Sequence, residues 1–294
     1  MIKCSKCTQR AVYHRRYSGQ KLCRDHFLKY FEGKVRRNLA RLAIKKDDSI
    51  GIALSGGKDS MATLNVLWGY SREIGFELTC IGIDEGIRGY REKTIPTAWS
   101  FTEKLGVPFE VVSFRDRYGK TLDEMAGNGK GCTYCGVLRR KLLNERAREL
   151  GMDKLATGHN LDDEAQAIMM NYLRGDLERL IRLRNPISCK GLVKRIKPLS
   201  EMPEKEVALY SLLSGIDASL AECPYSRSFR SFARDFINHL EKMNPGIKFS
   251  LVKGYEKLLP YLKNFSQSEL TRCSSCGEPS SQKICNACVI LRNV

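Results

Sequence analysis

Apolar positions change period several times along the chain, and the changes mark out its elements. The run Ile50–Leu54 is continuously apolar, which predicts a buried strand. After the polar break Ser55-Gly56-Gly57-Lys58-Asp59-Ser60 the period lengthens to that of a helix, with Met61, Leu64, Leu67 and Trp68 on one face. The alternation then recurs. Strands are expected at Ile50–Leu54, Leu78–Ile83, Phe109–Phe114 and Lys154–Thr157, with helices at Ser60–Glu73, Tyr90–Leu105, Gly136–Leu150 and Asp162–Arg174. Such alternation predicts an α/β fold whose parallel sheet is covered on both faces. Ahead of it, Phe27, Tyr30, Phe31, Val35, Leu39 and Leu42 make a helical pattern through Arg24–Lys46; behind it, residues 203–214 and 228–263 also read as helices.

Ligands of such sheets bind beyond the carboxyl ends of the strands. The Ser55–Ser60 loop, entered through Ala53 and Leu54, joins a strand to a helix N-terminus. Glycines there let backbone N–H groups approach an anion, and the first helical turn presents unpaired donors. It is not a Walker A loop, because the glycine needed five residues before Gly57 would fall at Ile52, and Asp59 separates Lys58 from Ser60. Asp84 and Gly158-His159 follow other strands and are expected at the same edge, with Ile83 a candidate wall for an adenine. His159 reads as structural or as a nucleotide neighbour. Asn160, Asp162 and Asp163 open a helix; they suit N-capping, and the adjacent acids also suit Mg²⁺ or the positioning of a reacting group.

Composition adds a partner. Of 294 residues, 50 are Lys or Arg against 33 Asp or Glu, a net charge of +17. Residues 1–46 hold 14 basic and 2 acidic side chains, and residues 174–197 hold 8 and 2, which points to nucleic acid. Arg227, Arg230, Arg234, Lys248, Lys253 and Lys257 are further residues expected to be open to RNA. No apolar run approaches the ~18 residues of a membrane helix, and MIKCSKC has no signal-peptide pattern. A cytoplasmic protein without a membrane partner is expected.

Twelve cysteines, mostly in C-x-x-C pairs, suggest metal rather than disulfides. Cys4-x2-Cys7-x15-Cys23-x2-His26 supplies three thiolates and an imidazole, and Cys273-x2-Cys276-x8-Cys285-x2-Cys288 supplies four thiolates; both suit structural zinc. Cys132 and Cys135 lie in a segment read as a glycine-framed loop. By chemistry alone they are a redox dithiol, half a zinc site or part of an iron–sulfur cluster. Cys80 reads as core.

SGGKDS resembles the pyrophosphate loop of PP-loop ATPases. Together with GCTYCG followed by Arg139 and Arg140, GHNLDDEAQ, ECPYS and a cysteine module at each end, it resembles the TtcA/TtuA family of tRNA thiolases, in the archaeal–eukaryotic branch that makes 2-thiouridine. The resemblance implies ATP with Mg²⁺ at Gly56, Gly57, Asp59 and Ser60. It also implies a 4Fe–4S cluster on Cys132, Cys135 and Cys223, with Cys189 the competing third ligand. A catalytic aspartate falls on Asp163, and Arg139 stands where a lysine is commonly expected. The implied partners are tRNA, a ubiquitin-like sulfur carrier or free sulfide, and a second copy of the chain. Modest acid content favours wobble uridine 34 over T-loop uridine 54. The rival readings are a PP-loop ligase with a nitrogen nucleophile and a non-catalytic zinc-finger RNA-binding protein. The expected division is 1–46 zinc finger and basic helix, 47–226 PP-loop domain, 227–268 helical extension and 269–294 zinc ribbon.

Overall fold

A computed structural model describes residues 2–127, 131–183, 191–226, 229–262 and 270–294. The chain opens with an antiparallel hairpin of β1 (Tyr13–Arg15) and β2 (Gln20–Leu22), then α1 (Arg24–Arg41). The core follows as β3 (Ser49–Ala53), α2 (Lys58–Ile74), β4 (Glu77–Asp84), α3 (Arg91–Leu105) and β5 (Phe109–Ser113). Two short helices, α4 (Phe114–Tyr118) and α5 (Leu122–Met125), lead to α6 (Gly131–Glu149), β6 (Lys154–Ala156), α7 (Leu161–Leu173), α8 (Leu177–Arg182) and β7 (Lys194–Ile196). The chain ends with α9 (Glu204–Leu213), α10 (Phe229–Met243), α11 (Ile247–Leu262), the pair β8 (Thr271–Arg272) and β9 (Pro279–Ser280), and α12 (Asn286–Arg292).

The sheet is parallel throughout, in the order β5-β4-β3-β6-β7. The chain runs outward from β3 to β5, then restarts at β6 on the other side. A crevice therefore opens between β3 and β6 at their carboxyl ends, the usual ligand position in such a sheet. One face is covered by α1, α2 and α9, where Met61, Leu64 and Leu67 have no exposed surface and Phe31 stacks on Tyr210 at 4.1 Å. Each such side chain contributes about 1.5–3 kcal/mol. The other face packs Ile81, Ile83 and Leu155 against Leu138, Leu142 and Ala147 of α6.

Several expectations need correction. The helix predicted from Gly136 already includes Gly131, so Cys132 and Cys135 lie on its first turns and not in a loop. The helical stretch expected over 228–263 consists of two helices, broken at Pro245-Gly246, where Gly246 has φ +102. β7 was not predicted: its Lys194 and Arg195 read as surface charge, yet Ile196 is buried and the strand pairs with β6. The basic face of α1 is partly neutralised, because Arg36 pairs with Glu73 and Arg41 with Glu201 at 2.6 Å. Lys248 is buried against Asp162 and is not open to RNA, while Arg230 stays exposed and pairs with Asp163 at 2.7 Å. Cys189 and Arg227 lie outside the described residues.

Candidate functional site

Gly56 turns the chain from β3 into α2 with φ +81, and a β-carbon there would fall 2.1 Å from the Thr94 carbonyl oxygen. The loop is tied internally: the Ser55 amide donates to Ser60 Oγ at 3.1 Å, and Ser60 Oγ donates to the Gly57 carbonyl at 3.0 Å. Gly57 is the N-cap of α2, so the unpaired amides of the first turn face the crevice. Lys58 lies in that turn, with Nζ 3.0 Å from Asp59 and 2.8 Å from Glu204 of α9. Glu204 was not anticipated from sequence.

The Gly158-His159 turn closes the opposite wall. A β-carbon on Gly158 would sit 2.8 Å from the Ser60 nitrogen. Asn160 donates to Asp59 Oδ1 at 3.1 Å and also caps α7, accepting from the Asp163 amide while Asp163 accepts from the Asn160 amide. Of the two acids weighed for Mg²⁺, Asp162 is buried and committed to Lys248 and the Glu204 amide. Asp59 and Asp163 remain at the crevice. Burial raises both carboxyls; Lys58 opposes this for Asp59, and Arg230 opposes it for Asp163. His159 is exposed and its Nδ1 lies 2.8 Å from Thr157 Oγ1. Ile83 is only 4% exposed and packs in the core, so it offers the crevice little side-chain surface.

The cysteine set stands across the crevice. Gly131 is required at the start of α6 because the Tyr225 ring would be 2.6 Å from a β-carbon there. Tyr225 Oη donates to Asp123 at 2.9 Å, and this docking brings the Cys223 turn to the helix start. Burial pushes the Cys135 thiol up to about 12, against Arg139, and burial also raises Cys223. Cys132, Cys135 and Cys223 do not gather within 4.8 Å, as the single-ion sets do. Three thiols at wider spacing beside Arg91 and Arg139 fit an anionic iron–sulfur group better than one ion.

Behind Cys135 lies a pair that sequence reasoning missed. Glu85, with no exposed surface, is gripped by Arg91 and lies 3.5 Å from Arg139 Nη1. Burial alone would raise the Glu85 carboxyl, but Arg91 and then Arg139 hold it below its ordinary value. The available signal was an acid directly after a strand end, followed six residues later by an arginine.

Two further sets are compact. Cys7 and Cys23 Sγ are 3.7 Å apart, and Cys4 Sγ is 3.6 Å from His26 Nδ1. Cys276 lies 3.7 Å from Cys285, and Cys273 lies 3.9 Å from Cys288. A zinc–sulfur bond of about 2.3 Å gives a tetrahedral edge of about 3.8 Å, so both sets have zinc dimensions.

Family comparison agrees with this architecture. A PP-loop domain model matches residues 30–239, and a model for the N-terminal LIM domain of the 2-thiouridine synthetase TtuA matches residues 3–28. The tRNA 2-thiolation protein NcsA of Haloferax volcanii is 36% identical, with 100% of this chain and 99% of that protein covered. The tRNA-5-methyluridine(54) 2-sulfurtransferase of Pyrococcus horikoshii is 36% identical over 98% of this chain and 93% of its own length. The solved U34-tRNA thiolase NcsA of Methanococcus maripaludis, with its [4Fe-4S] cluster, superposes with a TM-score of 0.89 at 40% identity, covering 100% of this chain and 97% of that one. The chain belongs to the PP-loop family of tRNA 2-thiolation proteins.

Proposed function

We propose that this protein is an ATP-dependent tRNA uridine 2-sulfurtransferase acting on wobble uridine 34. The observation that carries the reading is the meeting of the Ser55–Ser60 loop and the Cys132, Cys135 and Cys223 set at one sheet edge. Support for uridine 34 comes from the solved thiolase, which is 40% identical over the whole chain. The uridine-54 enzyme is 36% identical.

Amides of Gly56, Gly57 and the α2 start hold the ATP phosphates, with Ser60 bracing the loop. Asp59 places Mg²⁺. The uridine C2 oxygen attacks the α-phosphorus, pyrophosphate leaves, and the O–adenylated base becomes open to substitution. A sulfide then forms the C2–S bond while AMP leaves with the former C2 oxygen and a proton is released. Cys132, Cys135 and Cys223 would hold a [4Fe-4S] group, which would supply a place to hold sulfide. Arg139 offsets negative charge beside this set, since a guanidinium stays protonated. Asp163 reaches the reacting base only by releasing Arg230. Positioning and charge neutralisation carry the first step.

Zinc at the two four-ligand sets, a cytoplasmic setting, a homodimer, a carrier protein or free sulfide as donor, and the four-part division of the chain complete the reading. The test is anaerobic reconstitution with iron and sulfide, ATP and tRNA, followed by nucleoside mass spectrometry mapped to position. Sulfur at uridine 34, lost in Cys132→Ala, is expected. Full thiolation by Cys132→Ala would remove the cluster role. Iron-free protein that couples an amine to adenylated tRNA would favour the nitrogen-ligase reading.

A further inference from the structure

A continuous polar path joins the phosphate loop to the cysteine set. Arg91 Nη1 donates to the Ser55 carbonyl at 3.3 Å and to Thr94 Oγ1 at 3.2 Å. Thr94 is the residue whose carbonyl excludes any side chain at Gly56. The rest of the Arg91 guanidinium clamps Glu85, with Nη2 2.8 Å from Oε1. The same Oε1 meets Arg139 Nη1 at 3.5 Å and Cys135 Sγ at 3.7 Å. Arg91 and Glu85 are 5% and 0% exposed, so water does not compete for these contacts.

We infer that Arg91 and Glu85 are positioning residues that couple nucleotide binding at the Ser55–Ser60 loop to occupancy of the Cys132–Cys135–Cys223 set. The inference rests on the reading of those cysteines as an iron–sulfur site. One carboxylate oxygen and one guanidinium are all that separate Cys135 from the loop backbone. Two features make this path rigid. Its central pair, Arg91 and Glu85, is buried, and its geometry is set by a two-pronged Arg–carboxylate contact, which holds orientation as well as distance. The charges also match the purpose: Arg91 and Arg139 outnumber Glu85, leaving positive charge to face thiolates. A charged group on the cysteine set bears on Glu85 Oε1 through Cys135 and Arg139; Glu85 bears on Arg91; Arg91 bears on the Ser55 carbonyl of the phosphate loop. By linkage, nucleotide must then favour the filled set by the same factor.

The experiment measures the Kd of α,β-methylene ATP, which the enzyme does not cleave, on the full chain. Apo and anaerobically reconstituted protein are compared, with iron content and Tm recorded for each. Wild type is expected to bind at least about fivefold more tightly when loaded, the lower end of ordinary coupling. Glu85→Gln and Arg91→Lys each keep a polar side chain but break the two-pronged contact. Both are expected to load iron and bind nucleotide, with the apo-to-loaded ratio falling to about one. A purely structural role would weaken both affinities and leave their ratio intact. A wild-type ratio of one, or an unchanged ratio in a variant that loads iron, overturns the coupling alone. Variants that cannot load iron while their apo affinity and Tm stay at wild-type values also overturn it, since the bridge would then serve only the cysteines. Wild type that takes up no iron overturns the underlying reading and the coupling with it.

Discussion

Gly158 and Ser60 are in backbone contact across the crevice: a β-carbon on Gly158 would stand 2.8 Å from the Ser60 nitrogen and 3.0 Å from the Asp59 carbonyl oxygen. The turn after β6 is thus one wall of the phosphate loop. Gly158→Ala must push that wall from the first turn of α2, and nucleotide affinity is expected to fall on the order of tenfold or more. Gly69, in the same helix, has nothing within 4 Å of a β-carbon. Gly69→Ala should instead raise stability by roughly 0.5–1 kcal/mol and leave affinity unchanged. Calorimetric titration and melting of both variants decide the matter; equal effects would remove the special role of the contact.

Asp59 gives a pH-dependent prediction. Burial raises its carboxyl above 3.8, Lys58 and Asn160 oppose, and Asp163 adds to the rise. Between the unfolded and folded values the native state binds more protons than the unfolded one. The contribution to stability is therefore complete below about pH 4 and is lost as pH rises through the folded value. Asp59→Asn removes that loss and keeps an acceptor for Asn160. Its Tm should exceed wild type at pH 7, with the advantage vanishing near pH 4, while thiolation is abolished. A Tm below wild type at pH 7 would mean that the Lys58 contact outweighs burial.

Much of this was legible in the sequence for physical reasons. Central strands were visible because Ile50–Leu54 and the inner part of β4 are buried on both faces and read as apolar runs, whereas the edge strand β5 is only half-buried and shows through Phe109, Val111 and Val112. Cysteine spacing likewise located both zinc-type sets. β7 was hidden because an edge strand of three residues, Lys194–Ile196, has too little apolar content to show a period. Charge was misread at Lys248 because sequence counts cations without their partners, here the buried Asp162. The Arg91–Glu85 bridge was missed although Glu85 directly follows the end of β4, because the sequence does not show that the two side chains pair. Its meaning lies in what surrounds it.

Removing metal should separate the chain's parts. The two compact sets join elements with little core of their own: β8 and β9 span two residues each, and the N-terminal hairpin strands three each. In such units the metal supplies folding energy directly. Two zinc ions per chain are expected by elemental analysis, corresponding to the two sets. Chelation should raise hydrogen exchange over residues 3–28 and 271–289. Strands β3 and β4 should stay protected, because their core is apolar. Loss of protection across the sheet would show that zinc supports the whole fold.

The buried pair Lys248–Asp162 distinguishes structural from RNA-facing cations. Side-chain exposures are 7% and 5%, and Lys248 also donates to Asn238 at 2.7 Å. Lys248→Ala strands the Asp162 carboxylate beneath the start of α7, and breaking such a pair costs about 3–5 kcal/mol. Lys253, one turn further along α11, is exposed. If α11 faces tRNA, Lys253→Ala should reduce the slope of log affinity against log salt by about one while leaving Tm unchanged. Lys248→Met combined with Asp162→Asn should recover much of the lost stability, since no charge is then left unpaired. Lys248→Ala should lower Tm but not the salt slope of the protein that remains folded. Denaturant melts and tRNA binding at several salt concentrations separate the two behaviours, and a reduced salt slope for Lys248→Ala would place that lysine at the RNA after all.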